Sequence, residues 1–235
     1  MRRLLILPAL AALLFTLVPA LVVAQSNRTA GLEAAASPSL CFSDAVHGWL
    51  AQRNRVWTTS NGGASWRLRF RPRLEAPSNF HPEVQCVAET AWVLFVGTGA
   101  TMNQSPYVLY LTADGGKHWA AAAEEGFFGS AYPDARAQRS LGEHPGPFAV
   151  ASRTTAYFLG IDPVVGPQGS VGLNATVDSG RTWRHSVLPC LSPLQPVTIR
   201  FLSPTAGWVS GSCRGKATVL LTRNSGHTWL RHTLP

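Results

Sequence analysis

The chain has 235 residues, a formal net charge of +8, and 14% charged against 46% apolar residues. Its apolar share excludes an intrinsically disordered chain, and its length allows one large domain or two small ones. The basic balance is nearly all arginine, since Lys117 and Lys216 are the only lysines among 20 basic residues. It permits a nucleic acid, an anionic glycan or an acidic membrane surface and selects none of them.

At the N-terminus, Arg2 and Arg3 precede an almost wholly apolar run from Leu4 to Ala24. Val22, Val23 and Ala24 before Gln25 offer small residues to a signal peptidase. Residues 1–24 are therefore expected to be a signal peptide, and the rest to be secreted or extracytoplasmic. The alternative is an uncleaved anchor, because the run approaches the roughly 20 residues that span a bilayer; Pro8 and Pro19 argue against it. No second apolar stretch follows, so no membrane span is expected after cleavage. Residues 25–38 are rich in Ala and Ser and read as a linker.

From residue 39 onward the chain repeats one plan four times. Residues 39–71 begin with Leu40-Cys-Phe42, continue through the aromatic strand His47-Gly-Trp-Leu-Ala51, and reach Thr59-Ser-Asn-Gly-Gly-Ala-Ser-Trp66. Residues 83–123 follow with Val84-Gln-Cys-Val87, Thr90-Ala-Trp-Val-Leu94 and Thr112-Ala-Asp-Gly-Gly-Lys-His-Trp119. In residues 147–188 the same places hold Phe148-Ala-Val150, Thr155-Ala-Tyr-Phe-Leu159 and Thr176-Val-Asp-Ser-Gly-Arg-Thr-Trp183. Residues 196–233 carry Thr198-Ile-Arg-Phe-Leu202, Ala206-Gly-Trp-Val-Ser210 and Thr222-Arg-Asn-Ser-Gly-His-Thr-Trp229. Each unit thus reads as a four-stranded antiparallel meander.

The eight-residue motif has the chemistry of a tight turn between strands. Asn61, Asp114, Asp178 and Asn224 can accept backbone N–H bonds as Asx-turns do. Gly63, Gly116, Gly180 and Gly226 permit positive φ. The hydroxyls of Thr59, Thr112, Thr176 and Thr222 can bond back across the turn. Trp66, Trp119, Trp183 and Trp229 open the next strand with a large apolar surface.

These residues resemble the Asp-box, or BNR, repeat of sialidases and other propellers. The added Gly/Ala-Trp strand is more similar to the photosystem II assembly and stability factor-like subgroup. The resemblance covers nearly all of residues 39–235 and implies an all-β β-propeller of about four blades with Asp-box turns. Relatives in that subgroup usually have more than four blades, so the four either close as a small propeller or pair with something else.

In a meander, alternate turns lie at opposite ends. The short first turns and the motif turns share one end, and the long segments share the other. Those segments are Gly97–Pro106, Gly160–Ser170, Gly211–Lys216, Pro72–Pro82, Glu124–Gly146 and Pro189–Pro196. Long loops grouped at one end are a usual place for binding, although they are also cheap insertions. The same topology brings Cys190 near Cys213, and Cys41 near Cys86 in matching first strands. Two disulfides are expected, with buried free thiols as the alternative.

The sialidase resemblance implies three arginines, a Tyr–Glu nucleophile pair and an Asp acid. Phe70-Arg71-Pro72 is the nearest match to the Phe-Arg-Ile-Pro motif, yet it lacks the Ile and follows the first box. Glu124, Glu125, Asp134, Glu143 and Asp162 lie in or beside long loops and could pair for glycoside hydrolysis; solvated loop charge explains them equally. No metal-ligand spacing, phosphate loop or nucleophile motif occurs, so no catalytic residue, metal or cofactor is assigned. Arg67, Arg69, Arg71 and Arg73 alternate with period two, which would place four guanidinium groups on one strand face. They could dock an acidic partner or guard a sheet edge. The expected function is a non-enzymatic exported scaffold that binds a protein or glycan, not nucleic acid, through its long-loop face. The alternative is a sialidase-like glycoside hydrolase.

Overall fold

The computed structural model describes residues 37–72, 74, 80–97, 105–125, 141–142, 144–162 and 169–234. They fall in the second of two compact units, Ala36–Pro235. The expected signal peptide and residues 25–36 of the expected linker lie outside the described residues.

The described residues form four four-stranded antiparallel sheets, each in chain order. The first contains β1 (Ser39–Phe42), β2 (Gly48–Gln52), β3 (Arg55–Thr59) and β4 (Arg67–Phe70). The second contains β5 (Phe80–Val87), β6 (Thr90–Gly97), β7 (Tyr107–Thr112) and β8 (Ala120–Glu125). The third contains β9 (His144–Val150), β10 (Ala156–Asp162), β11 (Ser170–Thr176) and β12 (Arg184–Val187). The fourth contains β13 (Thr198–Phe201), β14 (Gly207–Cys213), β15 (Lys216–Thr222) and β16 (Leu230–Thr233).

Consecutive sheets pack face to face. Trp49, Ala51 and Val56 of the first sheet meet Val84, Val93 and Tyr110 of the second. Trp92, Leu94 and Leu109 on the opposite face of the second meet Phe148 and Phe158 of the third. Tyr157, Leu159 and Leu173 then meet Phe201, Val209 and Leu220 of the fourth. This double burial explains why β6 and β7 read as continuous apolar runs rather than alternating ones.

The first strands of successive sheets are neighbours, β1 with β5, β5 with β9 and β9 with β13. A Cys41–Cys86 disulfide crosses the first of these contacts. A Cys190–Cys213 disulfide ties the segment between the third and fourth sheets to β14. Both expected bridges are thus present, and they are compatible with an extracytoplasmic protein. Among the described residues no hydrogen bond, ion pair, disulfide or ring contact joins the first sheet to the fourth.

Candidate functional site

The motif turns come first, because their polar groups are the most concentrated. In each, the Thr hydroxyl accepts from the Gly N–H, at 2.9 Å for Gly63, Gly180 and Gly226 and 3.0 Å for Gly116. It donates to the Asx oxygen at 2.9–3.1 Å. The Asx oxygen also accepts the N–H four residues on, at 2.9–3.0 Å. Every motif turn is tied to the first turn of its own sheet by a backbone bond: Gly62 to Val46, Gly115 to Glu89, Ser179 to Thr154 and Ser225 to Thr205. The two turns therefore share one end, as the meander requires.

These bonds consume the motif carboxylates. The His118 N–H and side chain hold Asp114 well below the ordinary carboxylate range. The Thr182 hydroxyl and N–H lower the pKa of Asp178. Neither is available as a proton donor near neutral pH.

A cleft of about 310 Å³ opens at this end between the first and second sheets. Asp44, His47, Trp49, Arg69 and Glu89 line it. Asp44 accepts the N–H groups of Val46 and His47 at 2.8 and 2.7 Å, and its second oxygen meets the His47 ring at 2.8 Å. The His47 and Val46 amides and the His47 ring bring its pKa down to about 2. Glu89 pairs with Arg153 of the third sheet at 3.4 Å. Arg69 donates to the Thr58 hydroxyl at 3.1 Å. The cleft thus places arginine and hydroxyl donors beside carboxylates that already have partners.

Arg67 and Arg69 both lie in β4, the outermost strand of the first sheet. Arg71 follows the strand and is exposed, whereas Arg73 lies outside the described residues. The strict alternation read from the sequence is interrupted, because a bulge shifts the β3–β4 register between Val56 and Trp57. Phe70 consequently turns inward and stacks on Trp119 at 4.5 Å. Arg69 packs its stem beside Gly116. β4 still runs from the motif end toward the link before β5.

Much of the long-loop end lies outside the described residues, including residues 98–104, 126–140 and 163–168. Asp134, Glu143 and the Asp162 side chain are among what is not described. Where this end is described, polar groups bridge the second and third sheets. The Leu141 N–H donates to the Tyr107 hydroxyl at 2.6 Å, and Asn174 donates to the Leu141 carbonyl at 2.8 Å. Glu83 in β5 accepts from Gln85 at 3.1 Å, and burial pushes its pKa upward despite that bond. Glu124 is buried in β8 of the same sheet. The sequence points to Glu124 but not to Glu83.

No protein-family model and no curated protein sequence matches the chain. Similarity is found among solved structures. A polysaccharide lyase of family PL25, an ulvan lyase bound to -[GlcA(1-4)Rha3S]-, superposes with a TM-score of 0.55 at 10% identity, over 84% of this chain and 55% of the lyase. A second structure of a PL25 ulvan lyase gives 0.50 over the same shares. YCF48 bound to D1 peptide aligns at 14% identity over 84% of this chain and 81% of its own, but its TM-score of 0.28 carries no argument. The chain therefore spans about half the length of the lyase it matches. At these identities the likeness concerns the fold alone: an all-β, propeller-like succession of four antiparallel sheets.

Proposed function

We propose that the chain is an exported, non-enzymatic module that binds an anionic glycan along the outer strand of its first sheet. The observation supporting this is the arginine row itself. Arg67 and Arg69 in β4, with the exposed Arg71 just after it, run from the cleft toward the long loops. Guanidinium groups match carboxylates and sulfates through paired N–H donors. The lyase sharing the fold was captured with a GlcA-containing chain, and GlcA supplies such carboxylates. The test is retention on an immobilised acidic polysaccharide with elution by salt. An Arg67→Ala/Arg71→Ala variant should elute at clearly lower salt; absence of wild-type retention at low ionic strength would sink the reading.

One observation favours a second reading, a glycoside- or polysaccharide-cleaving enzyme. Glu83 is held toward its protonated form by burial within β5, as a general acid requires. Fluorogenic glycosides and acidic polysaccharides test it directly. Turnover that disappears in Glu83→Gln would replace the scaffold reading with this one.

A further inference from the structure

The three internal joints between sheets are built alike. The motif tryptophan of one sheet docks on the second-strand aromatic of the sheet before it. Trp119 stands edge-on to Trp49 at 5.9 Å, and Trp183 edge-on to Trp92 at 6.2 Å. Trp229 packs in the cluster that holds Tyr157. The motif glycine beds against the same preceding sheet. A Cβ on Gly116 would stand 3.3 Å from Trp49, one on Gly180 3.4 Å from Trp92, and one on Gly226 2.5 Å from Leu173.

The first sheet carries the docking half of this joint with no described sheet before it. Trp66 meets Phe42 of its own sheet, and a Cβ on Gly63 would reach only Trp66 and Phe42. The fourth sheet carries the receiving half: Trp208 holds the place of Trp49 and Trp92.

Both faces keep the apolar pattern of a buried joint. Register aligns Leu40, Leu50, Trp57 and Leu68 across the free face of the first sheet. The matching residues of the second sheet include Val84, which is 3% exposed where Leu40 is 53% exposed. Trp208, Leu221 and Leu230 align across the free face of the fourth sheet. Leu111, matching Leu221, is 8% exposed, whereas Leu221 and Leu230 are 38% and 62% exposed. Adjoining apolar side chains of this kind mark an interaction surface.

We infer that these faces meet in trans: a second copy of the chain sets its first sheet on the fourth sheet of its partner, and receives the partner's first sheet in turn. The occupant is identified by continuity with the internal joints. A face built around Trp208 takes a motif turn, a face built around Trp66 takes a second-strand aromatic, and each chain brings one of each. Two copies joined at both ends give eight sheets, within the four to eight blades that propellers use. The overlay on about half of a longer propeller-like chain fits a half-ring. The two joints are equivalent and head to tail, an arrangement that closes into a ring when the four sheets of each chain span half a turn.

The full chain should run at twice its chain mass by size-exclusion chromatography with light scattering. Leu40→Arg and Leu230→Arg should each reduce that to one chain mass. Val177→Arg, an exposed residue of the third motif turn, should leave it doubled. Near-UV circular dichroism checks folding, and Leu68→Gln and Leu221→Gln serve as milder replacements if a charge unfolds the chain. A wild-type chain at single mass overturns the inference. So does a doubled mass that survives Leu230→Arg, since that would be a dimer pairing two first sheets.

Discussion

The indole N–H of Trp183 donates to the carbonyl of Ala122 at 3.2 Å, while its ring stands edge-on to Trp92 at 78°. A residue that opens the last strand of the third sheet thus belongs to the core of the second. Turn formation and sheet packing are one event here. Trp183→Ala removes a large ring and leaves a cavity, with an expected loss of about 3–5 kcal/mol. Trp183→Phe keeps an aromatic edge but loses the hydrogen bond, for about 1–2 kcal/mol. Urea unfolding followed by fluorescence measures both; a Trp183→Phe variant as stable as the wild type would refute the role given to the N–H.

The two glycines inside a motif should respond differently to substitution. Gly115 has φ +71° with nothing within 4 Å of an added Cβ. Ser179 and Ser225 hold the corresponding place at φ 62° and 60°, so a side chain is tolerated there. Gly115→Ala should cost about 1 kcal/mol. Gly180 has φ +76°, and an added Cβ would stand 2.7 Å from the Ala122 Cβ. Gly180→Ala should cost about 1–3 kcal/mol more than the strain alone, because the joint must open. Melting of the two variants side by side decides it.

The depressed carboxylates predict an acid-labile fold. Asp114 and Asp178 are lowered by the amides and side chains they accept from, and Asp44 sits at about 2. A group whose pKa falls on folding adds stability that is complete above its unfolded value, near 4, and is lost as pH drops through the folded value. Melting temperature should therefore decline from about pH 4 downward. Asn61 and Asn224 make the same turn bonds without titrating. Asp114→Asn should fold normally and show a shallower decline; an unchanged pH profile would contradict the assignment.

These relationships also show what the sequence could reveal. The four antiparallel sheets were legible because each motif residue is required by its own turn: a hydroxyl, an Asx oxygen, a positive φ and a ring. The cysteine partners were legible because β1 and β5 hold equivalent places in neighbouring sheets. The free faces were not, because Leu40 and Val84 follow the same period-two pattern whether or not another sheet covers them. The raised pKa of Glu83 was hidden because it arises from burial, which a one-dimensional pattern does not show. Of the candidate site, Arg67 and Arg69 were visible as a row, but the bulge that turns Phe70 inward was not. The Asp44–His47 pair lies in a short turn, and its only signal in the sequence is an aspartate three residues before a histidine.

The two disulfides should contribute unequally. Each limits the unfolded chain, and such bridges typically add about 2–4 kcal/mol. Cys41–Cys86 closes a separation of 45 residues and Cys190–Cys213 one of 23. Loop-closure entropy alone makes the first worth about 0.6 kcal/mol more. Geometry adds to this difference. Cys41–Cys86 joins the first strands of two separate sheets, whereas Cys213 pairs with a segment already bonded to β14 through Ser192 N–H and Ser212 carbonyl at 2.8 Å. A Cys41→Ser/Cys86→Ser variant should therefore melt lower than Cys190→Ser/Cys213→Ser. Alkylation of the unfolded wild-type chain without reductant should label none of the four cysteines. The reverse melting order would mean that the joint between the first two sheets is held by Trp49, Phe70 and Trp119 without help from the bridge.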